Sequence, residues 1–235
     1  MTTIRTVPTT ALFAWLAFAL VIPFLPACQP SAPPQASRES ARSTEVPRPT
    51  PLAPDVRAVV EAARARTQLS ESYDPTYYSI SYPGGDVPDD RGVCTDVVVR
   101  AYRHIGIDLQ VLVHEDMRAN FNAYPRNWGL RAPDRNIDHR RVPNLQAFLV
   151  RQGASRPISA SATDYAAGDL VTWMLPGNLP HIGIVSDRKV AGSDRPLVLH
   201  NIGWGTSEDD ILMSYPITGH YRFYPEQRPQ PTRSP

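Results

Sequence analysis

The sequence predicts an α+β fold, with helices in its first half packed on an antiparallel sheet formed by its second half. Up to about residue 152, apolar residues recur at helical spacing. After Gly168 they fall into short β-branched or aromatic runs separated by Gly, Pro, Asn and Asp. Helices first and strands second is an α+β order, since an α/β chain alternates them. The 235 residues leave room for one such domain with flanking segments.

The chain opens on a targeting segment, 1–27. Arg5 supplies positive charge, and the apolar run over 11–25 is short for a membrane span but suits a signal-peptide core. The run ends in Leu25-Pro26-Ala27-Cys28, which resembles a bacterial lipobox, with Cys28 as the lipidated residue. A plain secretory signal or an uncleaved anchor is the alternative. If Cys28 carries lipid, Gln29 at the next position implies sorting to the outer membrane. Residues 28–54 are rich in Pro, Ser, Ala and Arg and read as a disordered tether. Residues 225–235 read as a flexible tail, which leaves 55–224 as the folded domain.

Within that domain, Val56, Val59, Val60 and Ala63 predict a helix over 56–68. A turn follows at Ser81-Tyr82-Pro83-Gly84-Gly85. Val97, Val98, Ala101 and Ile105 share a helical face, and Gly106 stops it. The valine triplet 97–99 also suits a strand; the preceding Gly92 and the length favour a helix with Cys94 in its first turn. Two further helices are expected over 109–121 and 144–152, with a polar, aromatic loop over 122–142 between them. Strands are expected at 169–173, 181–185, 197–201 and 220–224.

Of the two cysteines, Cys94 has no intramolecular disulfide partner if Cys28 is lipidated. A lone thiol in an oxidising compartment is either buried or has a function. At a helix N-terminus the free amides favour thiolate, and a nearby imidazole can take the proton. His181 opens one strand and His200 lies in the next, so the two can stand side by side. Each also has a structural reading: Cys94 as a small buried hydrophobe, His181 as a strand-end residue, His200 as a core histidine. In the 122–142 loop, Arg140 and Arg141 read as a solvated or salt-bridged turn, or as holders of a substrate carboxylate. Trp128 reads as a packing anchor or as a platform for sugar or peptide. Asp96 suits a local pairing near the helix start. The other four histidines form no zinc spacing.

The order of a cysteine helix, a strand opening on His and a strand with a second polar residue resembles the NlpC-type cysteine peptidases, papain-like enzymes that cut peptidoglycan stem peptides. Tyr82-Pro83-Gly84-Gly85, twelve residues before the cysteine, is similar to that group's tyrosine and glycine pair. Cys94-Thr95, Gly168-Asp169-Leu170-Val171 and His181-Ile182-Gly183-Ile184-Val185 with Leu199-His200 resemble its other motifs. Residues 73–221 look like a bacterial domain family related to this group, with no firmly assigned substrate. The resemblance implies Cys94 as nucleophile, His181 as base, His200 as its orienting partner and Tyr82 with the Cys94 amide as oxyanion donors. Two departures stand out. Val93 replaces the usual aspartate before the cysteine, and an insertion near 107–164 lengthens the link to the strands.

A net charge of +1 gives no reason to expect nucleic acid. The expected activity is an amide hydrolase acting on peptidoglycan peptides, tethered through a lipid anchor to the outer membrane and facing the periplasm. It needs no metal or organic cofactor. The other class is a catalytically idle domain that binds wall peptide in the same cleft. The oligomeric state is not legible.

Overall fold

Residues 52–225 are described by a computed structural model. The expected signal peptide, Cys28, most of the tether and all of the tail after Pro225 lie outside the described residues.

The helices come first. α1 spans Pro54–Arg66; its proline pre-sets the first turn, and Asp55 and the arginines Arg64 and Arg66 complement the dipole at its two ends. It buries Val59, Val60 and Ala63 against α2, Cys94–His104. Between them, β1 (Ser72–Tyr73) and β2 (Arg91–Gly92) form a short parallel pair. α3 spans Leu109–Asn120, where the Asp108 side chain accepts the Gln110 amide. α4 spans Val142–Arg151, again with proline in its first turn. Of the 122–142 loop, a 3₁₀ turn at Asp138–Arg140 is fully buried rather than solvated.

The strands are β3 (Leu170–Leu175), β4 (Leu179–Lys189), β5 (Pro196–Asn201), β6 (Thr206–Asp209) and β7 (Ile217–Tyr221). They form one antiparallel sheet in the order β6-β5-β4-β3-β7. β3 to β6 run as consecutive hairpins, and β7 returns to the far edge beside β3. The fold is therefore α+β with a five-stranded antiparallel sheet.

Both faces of the sheet are buried. Leu170, Ile182, Ile184 and Leu199 join the helices' core, formed with Val97, Val98 and Tyr102. Val171, Trp173, Val185 and Val198 pack on the opposite face with Tyr165 and Leu212. Alternation along a strand then assigns His181, Gly183 and His200 to the Trp173 face. The buried Asp169 carboxylate ties β3 to β7: it accepts from His220 at 2.8 Å, from Arg222 at 2.7 and 2.9 Å, and from the Ala166 amide at 2.9 Å. The aspartate of the Gly-Asp-Leu-Val motif thus holds the sheet edge together.

Candidate active site

Cys94 is the first residue of α2. The start of this helix is locked from outside. The Asp96 carboxylate accepts the Val93 amide at 2.7 Å and a two-pronged contact from Arg140 at 2.9 and 3.0 Å. Arg140 also donates to the carbonyls of Thr76 and Asp74, at 2.9 and 3.1 Å, while Thr95 donates its hydroxyl to the Arg140 carbonyl. Asp96 and Arg140 are both buried. A guanidinium so committed positions the helix start and has no fork left for a substrate.

The sulfur meets the sheet where β4 and β5 part. Their pairing at this end reaches Ile184–Leu199. Two residues before Ile184, the Ile182 amide is directed at Cys94, as are the amides of Thr95 and Cys94 itself. These donors favour thiolate, as a helix N-terminus should. Burial nevertheless outweighs them, with Asp96 adding to it, and the thiol is pushed up to about 12. Cys94, 4% exposed, is therefore a neutral thiol.

His181 Nε2 lies 3.1 Å from His200 Nδ1, with the two rings edge to face. Trp173, whose indole N–H is fixed by the Leu212 carbonyl, backs the His181 ring. Burial pulls the His181 imidazole down to about 3, with His200 adding to it, and burial likewise lowers His200. Among the described residues no hydrogen bond joins Cys94 to His181. Beyond the pair, Asp209 Oδ2 stands 3.2 Å from His200 Nε2, out of line for a well-formed hydrogen bond.

Gly183 makes the close approach of the two histidines possible. A Cβ there would stand 2.7 Å from Val198 Cγ1, 3.0 Å from the Leu199 carbonyl oxygen and 3.2 Å from His200 Cβ. Since a paired backbone carbonyl cannot rotate away, Gly183→Ala should push β5 outward. The expected cost is ~1–3 kcal/mol in urea unfolding, with a changed His200 imidazole NMR shift. An unchanged His200 signal would mean that position 183 does not control the pair.

A cleft of about 430 Å³ opens beside Cys94, lined among others by Tyr73, Val93, Trp128, Arg141 and Pro180. Arg141 lies over the Trp128 ring, 4.3 Å from its centroid. Residues 60–223 of the chain match the family described as Domain of unknown function (DUF1287). The chain belongs to the DUF1287 family. It is 52% identical over 167 residues to "Uncharacterized protein YijF" of Escherichia coli (strain K12), which covers 71% of this chain and 81% of that one. The DUF1287 match begins inside α1 and ends just past β7, so it encloses Cys94, both histidines and the whole cleft lining.

Within the DUF1287 domain, one expected site residue lies elsewhere and another is committed to a structural partner. Tyr82 is not in the cleft: its ring packs edge-on against His114, and its hydroxyl is 3.5 Å from Glu115 on α3. The β1–β2 pairing brings Tyr73 to the cleft instead, and burial, with Cys94 and Asp96 nearby, pushes its phenol up to about 12. Arg140 does line the cleft, but its fork is spent on Asp96. Trp128 and Arg141 also line the cleft, and among the described residues no carboxylate pairs with Arg141 within ion-pair distance. Tyr73, Gly183 and Asp209 escaped the sequence reading. Only Gly183 left a signal, as the glycine inside a strand pattern.

Proposed function

We propose that this chain is a thiol-dependent amide hydrolase of the bacterial cell envelope, with a papain-like site kin to the NlpC-type peptidases and peptidoglycan stem peptides as its substrate. The observation that carries this reading is the hydrogen-bonded His181–His200 pair across β4 and β5, with the amide after His181, at Ile182, aimed at the Cys94 sulfur. With Nε2 engaged by His200, only Nδ1 of His181 is left to serve a thiol. In the reaction, His181 Nδ1 takes the Cys94 proton, and the thiolate attacks the scissile carbonyl. The Cys94 amide, with the Tyr73 hydroxyl at the cleft, stabilises the oxyanion. The tetrahedral adduct collapses as the amine leaves with the proton from His181. Water, deprotonated by the same imidazole, then hydrolyses the acyl-enzyme.

Arg141, stacked on Trp128, is placed to hold a substrate carboxylate, a group in which stem peptides are rich. The resting thiol near 12 fits an enzyme whose dyad closes only around substrate, because apo contacts of this kind are often long. The lipobox-like Leu25-Pro26-Ala27-Cys28 and the tether after it support an outer-membrane lipoprotein within reach of the wall.

The alternative is an idle domain that binds wall peptide. It is favoured by one observation: the buried, protonated Cys94 has no bond to His181. Digestion of purified walls by the full chain separates the two. The hydrolase should release muropeptides with new amino and carboxyl ends, and Cys94→Ala and His181→Ala should each lower the rate by at least ~10³-fold. Intact walls that nonetheless retain the protein would leave the binding domain as the answer.

A further inference from the structure

The His181–His200 bond is ambiguous by itself, because either ring can be the donor. The two possibilities have opposite consequences. If His181 donates from Nε2, its Nδ1 carries a lone pair and can accept the thiol proton. If His200 donates from Nδ1, then His181 Nε2 is the acceptor, Nδ1 carries the hydrogen, and His181 is no base. Something must therefore fix the direction.

Asp209, on the neighbouring strand β6, is placed to do so. It is two residues off register from His200, on the same face: the direct cross-strand partner of His200 is Ser207, and Val198, two residues before His200, pairs with Asp209. Its Oδ2 is 3.2 Å from His200 Nε2, a buried atom that makes no well-formed hydrogen bond among the described residues. The carboxylates beside it are committed elsewhere: Glu208 to Arg64 and Arg188, Asp210 to Arg195. Among the described residues no arginine or lysine pairs with Asp209. A carboxylate can only accept, so its proximity favours the His200 tautomer with the hydrogen on Nε2. Its Nδ1 is then an acceptor, and the hydrogen between the rings belongs to His181 Nε2. We infer that Asp209 is a positioning residue that sets the tautomers of His200 and His181 in series and so leaves His181 Nδ1 without a hydrogen, free to accept a proton. The inference rests on the hydrolase reading for its purpose, though not for its geometry.

Spectra of ¹⁵N-histidine-labelled full chain at pH 7.5 test it, with His181 and His200 assigned through their glutamine variants. The expected result is both rings in the Nε2–H form, and in Asp209→Ala a shift of His181 toward Nδ1–H. Asp209→Glu should restore the wild-type pattern. Wall digestion runs in parallel: Asp209→Ala should lower kcat by ~10²-fold or more with KM nearly unchanged, and Asp209→Glu should recover part of it. A wild-type His181 protonated at Nδ1, or tautomers indifferent to Asp209→Ala, overturns the inference. Expected tautomers in a protein that leaves walls intact would uphold the Asp209 assignment and sink the hydrolase reading instead. Asp209 is half exposed, and equal melting temperatures for the variants would confirm that each is folded.

Discussion

Arg140→Ala should lower the stability of the domain by about 3–5 kcal/mol. The side chain leaves behind the Asp96 carboxylate, only 3% exposed, whose compensating charge it was. Two backbone carbonyls, of Asp74 and Thr76, lose their donor as well. The unpaired carboxylate must then be hydrated by opening the α2 start or must take up a proton. The second route makes the loss smaller at low pH. Removing both charges with a well-packed pair such as Asp96→Leu with Arg140→Met should recover much of the stability, since a buried ion pair is expensive to break but not to replace. Urea unfolding of the single and double variants at pH 7 measures this. A loss under 1 kcal/mol for Arg140→Ala would show that the ion pair does not hold the helix start, and would return Arg140 to the candidates for substrate binding.

The second large effect is acid lability. His181 and His139 are buried and held at about 3 and 4, against an ordinary histidine value near 6.5, burial being the main cause for both. A depressed value means that the unfolded chain binds protons that the folded one refuses. Stability is then present above pH 6.5 and is lost as pH falls toward 4 and 3. By pH 5 each imidazole has removed roughly 2 kcal/mol relative to pH 7. Asp138 acts with the opposite sign: burial raises its carboxyl to about 6, so protonation favours the folded form and returns about 1 kcal/mol. The net loss from pH 7 to 5 is about 3 kcal/mol, and His200, also depressed, adds to it. Urea midpoints at the two pH values test this, and His139→Gln should flatten the slope by about 2 kcal/mol. Equal midpoints at pH 7 and 5 would mean that these imidazoles are protonated in the folded state.

Much of this architecture was legible because its cues are local. Val97, Val98, Ala101 and Ile105 with Gly106 fix the Cys94 helix at Cys94–His104, and the strand holding His181 needed only its own apolar run. What escaped was set by distant partners. Thr206–Asp209 is an edge strand of four polar or charged residues, with no apolar period to read, so Asp209 stayed out of sight beside His200. Arg140 read as part of a solvated or substrate-binding charge cluster because its partner Asp96 lies 44 residues earlier. Tyr82 was favoured by its spacing from Cys94, yet the tyrosine in the cleft is Tyr73, brought there by a two-residue strand pair too short to leave a signature.

The gap between β4 and β5 at Ile182 has a consequence for how this protein matures. The thiol arrives there from the helical layer, while the two imidazoles come from the opposite face of the sheet, and the three residues are separated by 87 and 19 positions along the chain. No single hairpin or helix pair contains them. Contacts this remote are made only after the loops between them have closed, and that closure is entropically slow. A nascent or truncated chain that has formed its helices but not its full sheet has not yet brought the cysteine helix and the two imidazoles to the same region. Until the sheet is complete Cys94 also lacks the burial that pushes its thiol up, so the finished sheet is what shields the sulfur.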